Sequence, residues 1–81
     1  MSRVVAVNLP KLTMAAIDGT FLGWLVDDGE PVEENQPLYT METEKVETEV
    51  VSPASGILRH GAAQSGDVYP VGTQLAVIEV S

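Results

Sequence analysis

The chain has 81 residues and a formal net charge of −8, with 12 acidic residues against 4 lysines and arginines. This length supports one domain spanning residues 1–81, and a domain so small buries too little surface for a deep catalytic cavity, which favours a carrier or binding module over an enzyme. The negative charge argues against nucleic acid and membrane surfaces as partners. No apolar run approaches the ~20 residues of a membrane span, and the absence of cysteine excludes disulfides.

Segments rich in valine, aromatic or alternating apolar residues predict β-strands separated by turn signals. In chain order, the predicted strands cover residues 3–8, 20–26, 38–43, 46–51, 57–60 and 74–80. The predicted turns cover residues 17–19, 27–29, 35–37, 52–53, 65–67 and 71–72. Helical periodicity is not sustained over any long window, so we expect an all-β fold.

The sequence also contains an internal repeat. A shift of 37 residues places Gly19 on Gly56, Leu38 on Leu75, and Met41 on Ile78. Two copies are too few for a solenoid, and they fit one domain built from two similar halves. We therefore expect a flattened β-barrel or sandwich of two quasi-symmetric four-stranded sheets around a shared core.

The segment around Lys45 predicts a β-hairpin with Glu44 and Lys45 as its two-residue turn. In this register Thr43 opposes Val46, Met41 opposes Thr48, and Tyr39 opposes Val50. Because side chains alternate between the two faces of a strand, one set is expected to point into the core and the other into water. The inward set is Tyr39, Met41, Val46 and Val50, and the outward set is Glu42, Glu47 and Glu49.

Two features of this hairpin do not favour stability. A Glu–Lys turn lacks the tolerance of positive φ that makes Asn–Gly the preferred pair, and Glu42 opposes the like charge of Glu47. Broken local rules at one site indicate a functional demand, here for a lysine held away from the body of the domain. The alternative is an ordinary solvated turn.

The same segment resembles the lipoyl-attachment site of 2-oxo acid dehydrogenase acyltransferases. The resemblance is carried by Glu42-Thr43-Glu44-Lys45-Val46, the run at 49–53 and Gly56, and it extends over nearly the whole chain, although Glu44 replaces the more usual Asp. It implies covalent lipoate on Lys45 as the cofactor-binding residue, without catalytic residues or metal ligands in the domain itself. The implied recognition residues are Glu42, Thr43, Glu44 and Val46.

The resemblance also implies a set of partners. A lipoate-protein ligase or lipoyl transferase would modify Lys45, and the lipoyl-lysine would act as a swinging arm that shuttles acyl groups and reducing equivalents. The arm would visit a thiamine-diphosphate-dependent 2-oxo acid decarboxylase, the acyltransferase core and dihydrolipoamide dehydrogenase, while the domain itself stays monomeric. We expect a location in the bacterial cytoplasm, or in the mitochondrial matrix if the chain is a trimmed domain.

Two alternatives stay open within the same fold. A biotin carboxyl carrier domain has methionine on both sides of its lysine, whereas Glu44 and Val46 flank Lys45 here. An unmodified interaction module is the second alternative. Lys11 is a rival modification site, but no hairpin is predicted to present it.

The remaining polar residues are interpreted as structural. His60, the sole histidine, is expected to be an ordinary surface or edge residue, because no partner suggests a catalytic triad. The acidic pairs at 27–28 and 33–34 lack the spacing of a calcium loop and are expected to be solvated turn residues.

Overall fold

The computed structural model describes residues 3–11, 16–44 and 46–80. Within these ranges the chain forms a series of antiparallel β-strands. They are β1 (Arg3–Asn8), β2 (Asp18–Trp24), β3 (Pro31–Val32), β4 (Pro37–Thr43), β5 (Val46–Val51), β6 (Gly56–His60), β7 (Val68–Pro70) and β8 (Gln74–Val80). Among the described residues, no helix is long and apolar enough to cross a membrane.

The strands assemble into two four-stranded sheets with the orders β1-β8-β6-β3 and β5-β4-β2-β7. Neither sheet closes on itself, so the architecture is a sandwich, and the predicted all-β fold of two four-stranded sheets is confirmed. The internal repeat relates three strands of one sheet to three of the other, β2 to β6, β3 to β7 and β4 to β8, whereas β1 and β5 occupy equivalent edge positions without following the 37-residue shift. Their ladders agree in register: Val7 pairs with Ala76 as Val50 pairs with Tyr39, and both ladders carry an irregularity beside this pair.

The repeat also governs the backbone of the turns. Gly29 and Gly66 occupy corresponding positions and have φ angles of 85° and 90°, while Asn35 and Gly72 have φ angles of 73° and 91°. This left-handed region is open to glycine and tolerated by asparagine, which explains why these residue types occupy the turns here. All four residues fall in turns predicted from the sequence.

A single layer of apolar side chains fills the space between the sheets. Repeat-related residues lie at matching depths, as the complete burial of Phe21 and Leu58 illustrates. Trp24 packs against this layer with edge-on contacts to Phe21 and Tyr39, at ring-centroid separations of 5.1 and 5.5 Å. The buried apolar cluster comprises Val7, Leu9, Phe21, Val32, Leu38, Tyr39, Met41, Leu58, Leu75, Ala76 and Ile78.

Three of the strands differ from the prediction. β3 and β7 are only two and three residues long, too short to show alternation in the sequence. Asp18 and Gly19 pair with Pro70 and Tyr69 of β7, so the predicted turn at 17–19 is wrong and Asp18 and Gly19 begin β2 instead. The ladder between β2 and β4 shifts register beside Gly23, and β2 ends two residues earlier than predicted.

The molecule measures 39 Å along its longest axis. The β4–β5 hairpin turn lies at one end of this axis, and Arg3 and Val80 lie together at the other end. At the β4–β5 end, Thr43 lies beside Asp18, and a methyl group of Leu9 lies close to Gly19. At the other end, Arg3 of β1 pairs with Val80 of β8. The hairpin end of the sandwich is therefore remote from Arg3 and Val80.

Candidate functional site

The hairpin formed by β4 and β5 has the register predicted from the sequence. Thr43 pairs with Val46, Met41 with Thr48, and Tyr39 with Val50. Residues 44 and 45 therefore form the connection between the two strands. Lys45, the predicted attachment residue, lies outside the described residues, whereas the residues on both sides of it are described.

Glu44 enters the turn with a left-handed backbone, at a φ angle of 51°. For a residue with a Cβ atom this conformation costs roughly 1–2 kcal/mol relative to the right-handed region. Asn35 is the other described residue with a side chain and a positive φ, and there the residue type is adapted to the geometry. The strain expected from a Glu–Lys turn is thus located at Glu44, whose side chain is exposed.

The hairpin is anchored in the core up to its last pair. Tyr39 and Met41 are almost completely buried, and Thr43 is buried with its hydroxyl 3.5 Å from the carbonyl oxygen of Asp18. Val46 is 59% exposed, so the prediction that it points into the core is wrong. Its alternation with Val50 is correct, but Val46 is the first residue of β5, which lies at the edge of its sheet and has a neighbouring strand on one side only.

The outward face of the hairpin is acidic, as predicted. Glu42 pairs directly with Glu47, and the next outward position on β5 is Glu49. Glu47 and Glu49 are exposed, and Glu42 is half-buried. The one ion pair in the described ranges, between Arg59 and Glu79 at 2.6 Å, lies on the other sheet, so these three carboxylates have no salt-bridge partner among the described residues.

The residues interpreted as structural have structural partners. The ring of His60 stacks on Trp24 at a centroid distance of 4.2 Å, and its Nε2 atom lies 2.9 Å from the carbonyl oxygen of Val26. Asp28 accepts a hydrogen bond of 2.8 Å from the backbone N–H of His60. The stacking of His60 on Trp24 is not predicted, because it joins residues that are far apart in the sequence. Within the described ranges, no group of three His, Cys, Asp or Glu side chains is arranged to hold a metal ion.

This architecture is shared with a solved structure. The solution structure of the lipoyl domain of the 2-oxoglutarate dehydrogenase complex from Azotobacter vinelandii matches with a TM-score of 0.74 and 27% sequence identity, over 91% of this chain and 94% of that one. The sandwich and its hairpin tip therefore define a protein of the lipoyl-domain class. Residues 5–78 match the family model described as "Biotin-requiring enzyme", and the chain belongs to this family.

Curated relatives are longer proteins. The chain is 36% identical over 75 residues to the dihydrolipoyllysine-residue acetyltransferase component of the acetoin cleaving system of Cupriavidus necator, covering 93% of this chain and 20% of that protein. It is 42% identical over 75 residues to the dihydrolipoyllysine-residue acetyltransferase component of the pyruvate dehydrogenase complex of Mycobacterium bovis, covering 93% of this chain and 14% of that protein. The chain thus spans a fifth or less of the length of these two relatives.

Proposed function

We propose that this chain is a lipoyl carrier domain whose Lys45 is the attachment residue. The observation that carries the proposal is the register of the hairpin: pairing of Thr43 with Val46 leaves residues 44 and 45 as the connection at one end of the sandwich. Glu44 and Val46 are exposed on either side of that position, so an enzyme can approach the tip without disturbing the core. Membership in a family that includes a lipoyl domain of the same fold supports this assignment.

The residues at the tip fit covalent lipoate. An ordinary lysine amine has a pKa of about 10.4 and is protonated at neutral pH, so the modifying enzyme has to remove the proton before an amide can form. The hairpin contributes a firm base, because Met41 and Thr43 are buried within the last two inward positions of β4. When attached, lipoate supplies a disulfide that can be reduced and acylated. Glu42, Thr43, Glu44 and Val46 are the proposed recognition residues around it.

The proposed partners follow from the relatives. Their names place them in pyruvate dehydrogenase and acetoin cleaving systems, which supports docking of this chain on a 2-oxo acid decarboxylase, an acyltransferase core and dihydrolipoamide dehydrogenase. A ligase or lipoyl transferase is needed in addition for attachment. The acidic hairpin and the net charge of −8 suit brief, electrostatically steered contacts with basic surfaces. We propose a bacterial cytoplasmic location, with the mitochondrial matrix as the alternative.

Intact-mass spectrometry tests the assignment. The chain is expressed with a lipoate-protein ligase and lipoate, next to Lys45→Ala and the matched control Lys11→Ala, which removes the other lysine. We expect a lipoyl mass gain in the wild type and in the control, and no gain in Lys45→Ala. A biotinyl gain in cells that supply biotin instead would identify a biotin carrier, and no gain of either kind would indicate an unmodified interaction module.

A second experiment tests whether the position of the amine on the hairpin is recognised. The double variant Glu44→Lys/Lys45→Glu moves the amine by one residue and leaves the composition unchanged. We expect the variant to fold and to remain unmodified, because the enzyme has to meet the amine at one place on the turn. Lipoylation of the double variant at the wild-type rate would contradict this expectation.

A further inference from the structure

A groove of about 370 Å³ lies on the outer face of the sheet β5-β4-β2-β7, along the side of the sandwich. The function proposed above makes no use of this groove, because the attachment position lies at the end of the sandwich. The lining residues come from β2, from the residue that follows it, and from β4 and β5. They are Leu22, Gly23, Trp24, Leu25, Thr40 and Glu47. We call this site the outer groove.

The outer groove follows from an irregularity in the pairing of β2 with β4. The register shifts between Phe21 and Gly23, so β2 contains one residue more than β4 over this stretch. Phe21 and Trp24 still pair with buried residues of β4, and the two residues between them therefore face outward. One of these is Gly23, which has no side chain to fill the space beside its partner Thr40. The strand pairing itself thus keeps the groove open.

The two ends of the outer groove differ in polarity. Leu22 and the 50% exposed Leu25 form apolar walls at β2, and Thr40 contributes a hydroxyl on β4. Glu47 provides a carboxylate on β5, and it has no ion-pair partner among the described residues. β2 and β5 are separated by two strand spacings, or about 10 Å. An occupant that meets both ends therefore has to be long, with its polar group at one end.

The charge of this sheet favours a cationic occupant. Its described strands carry acidic residues but no lysine or arginine, whereas the strands of the other sheet carry Arg3 and Arg59. The acid in the strands of that other sheet, Glu79, is paired with Arg59. A positive group is therefore attracted to the outer face that contains the groove. The acids in the strands of this sheet are Asp18, Glu42, Glu47 and Glu49.

We propose that the outer groove binds an arginine side chain presented by a partner protein. The methylene groups of the arginine pack between Leu22 and Leu25, and the guanidinium donates hydrogen bonds to the Glu47 carboxylate and the Thr40 hydroxyl oxygen. Arginine fits better than lysine, because the ammonium group is more strongly hydrated and lacks the planar fork that matches a carboxylate. This contact holds the domain by its side and leaves the hairpin tip free, so it adds a second binding surface to the proposed function.

Peptide titrations of the unmodified domain test the proposal. The probes are acetyl-Gly-Arg-Gly-amide, the same peptide with lysine, and the same peptide with citrulline, which keeps the shape of arginine without its charge. Binding is followed by backbone amide NMR and by the fluorescence of Trp24, the sole tryptophan, which lines the groove. We expect the arginine peptide to bind with a Kd in the millimolar range and to shift the signals of groove residues.

Two groove variants are each compared with a matched control. Glu47→Gln removes the carboxylate, and its control Glu34→Gln removes an exposed acid in the turn that follows β3, outside the groove. Leu25→Thr shortens one apolar wall, and its control Val4→Thr changes a residue that is 61% exposed on the other sheet. Each groove variant should raise the Kd of the arginine peptide at least about threefold. Each control should stay within about 1.5-fold of the wild type.

The remaining outcomes would overturn the proposal. Equal Kd values for the arginine and lysine peptides would show that the groove does not select a guanidinium, and equal values for arginine and citrulline would show that it does not select a cation. An equal loss in Glu47→Gln and Glu34→Gln would show that only the overall charge acts. The absence of shifts at the groove would exclude binding there. None of these results depends on attachment at Lys45, because the domain is unmodified.

Discussion

Replacing Glu44 by glycine should stabilise the domain, although it removes a side chain next to Lys45, the proposed attachment residue. The left-handed backbone at Glu44 costs roughly 1–2 kcal/mol, which glycine does not incur. Glycine in turn loses about 0.5–1 kcal/mol through the greater freedom of the unfolded chain. The expected net gain is about 0.5–1 kcal/mol in the free energy of unfolding, which corresponds to a rise in Tm of about 2–8 °C for a domain of this size.

Thermal and urea unfolding followed by circular dichroism measure this gain. Asn35→Gly is the matched control, because Asn35 also has a positive φ but is a residue type that tolerates it. The control should change the free energy of unfolding by less than about 0.5 kcal/mol, or lower it. A destabilised Glu44→Gly, or an equal gain in both variants, would refute the reasoning that strain is concentrated at Glu44.

Three further predictions concern the core and its supports. Burial raises the pKa of the Tyr39 hydroxyl above its ordinary value of 10.0, so the unfolded state releases that proton first. The free energy of unfolding should therefore fall as the pH rises above about 10, and urea titrations should show a smaller fall for Tyr39→Phe. An identical fall in the variant would contradict the assignment to Tyr39. A Cβ at Gly56 would collide with the backbone of β8, whereas one at Gly19 would meet the end of the flexible Met41 side chain. Gly56→Ala should therefore lower the free energy of unfolding by about 1–3 kcal/mol, and Gly19→Ala should lower it less. The reverse order in chemical denaturation would be inconsistent with this packing. Asp28→Ala should lower the free energy of unfolding by about 1 kcal/mol, because it removes the acceptor for the backbone N–H of His60 in β6. The control Asp27→Ala should lower it by less than about 0.5 kcal/mol. Equal melting temperatures of the two variants would show that this hydrogen bond contributes nothing to stability.

The hairpin register could be predicted because its information is local. Alternation along β4 and β5 and the two residues between them leave one pairing that buries Tyr39 and Met41 together, and that pairing is observed. The exposure of Val46 could not be predicted in the same way. Alternation gives the face on which a side chain lies, but the extent of the opposing sheet over that face is set by residues elsewhere in the chain.

The short strands were beyond the reach of sequence patterns for a related reason. β3 and β7 exist because they pair with β6 and β2, which lie more than twenty residues away from them in sequence, and two or three residues cannot show a period. The internal repeat compensates in part. The 37-residue shift aligns β3 with β7, so it predicts that any short strand in one half has a counterpart in the other.

The separation of the hairpin tip from the strand ends at Arg3 and Val80 has a mechanical consequence. A polypeptide joined at Arg3 or at Val80 would hold the domain by the end remote from residues 44 and 45. The rigid sandwich then adds most of its 39 Å to the distance that a flexible linker allows the hairpin tip to reach. A longer disordered linker would give the same reach only with a larger loss of entropy when the tip binds at one site. A multienzyme complex that contains such a domain can therefore place its active sites farther apart than the linker alone would allow.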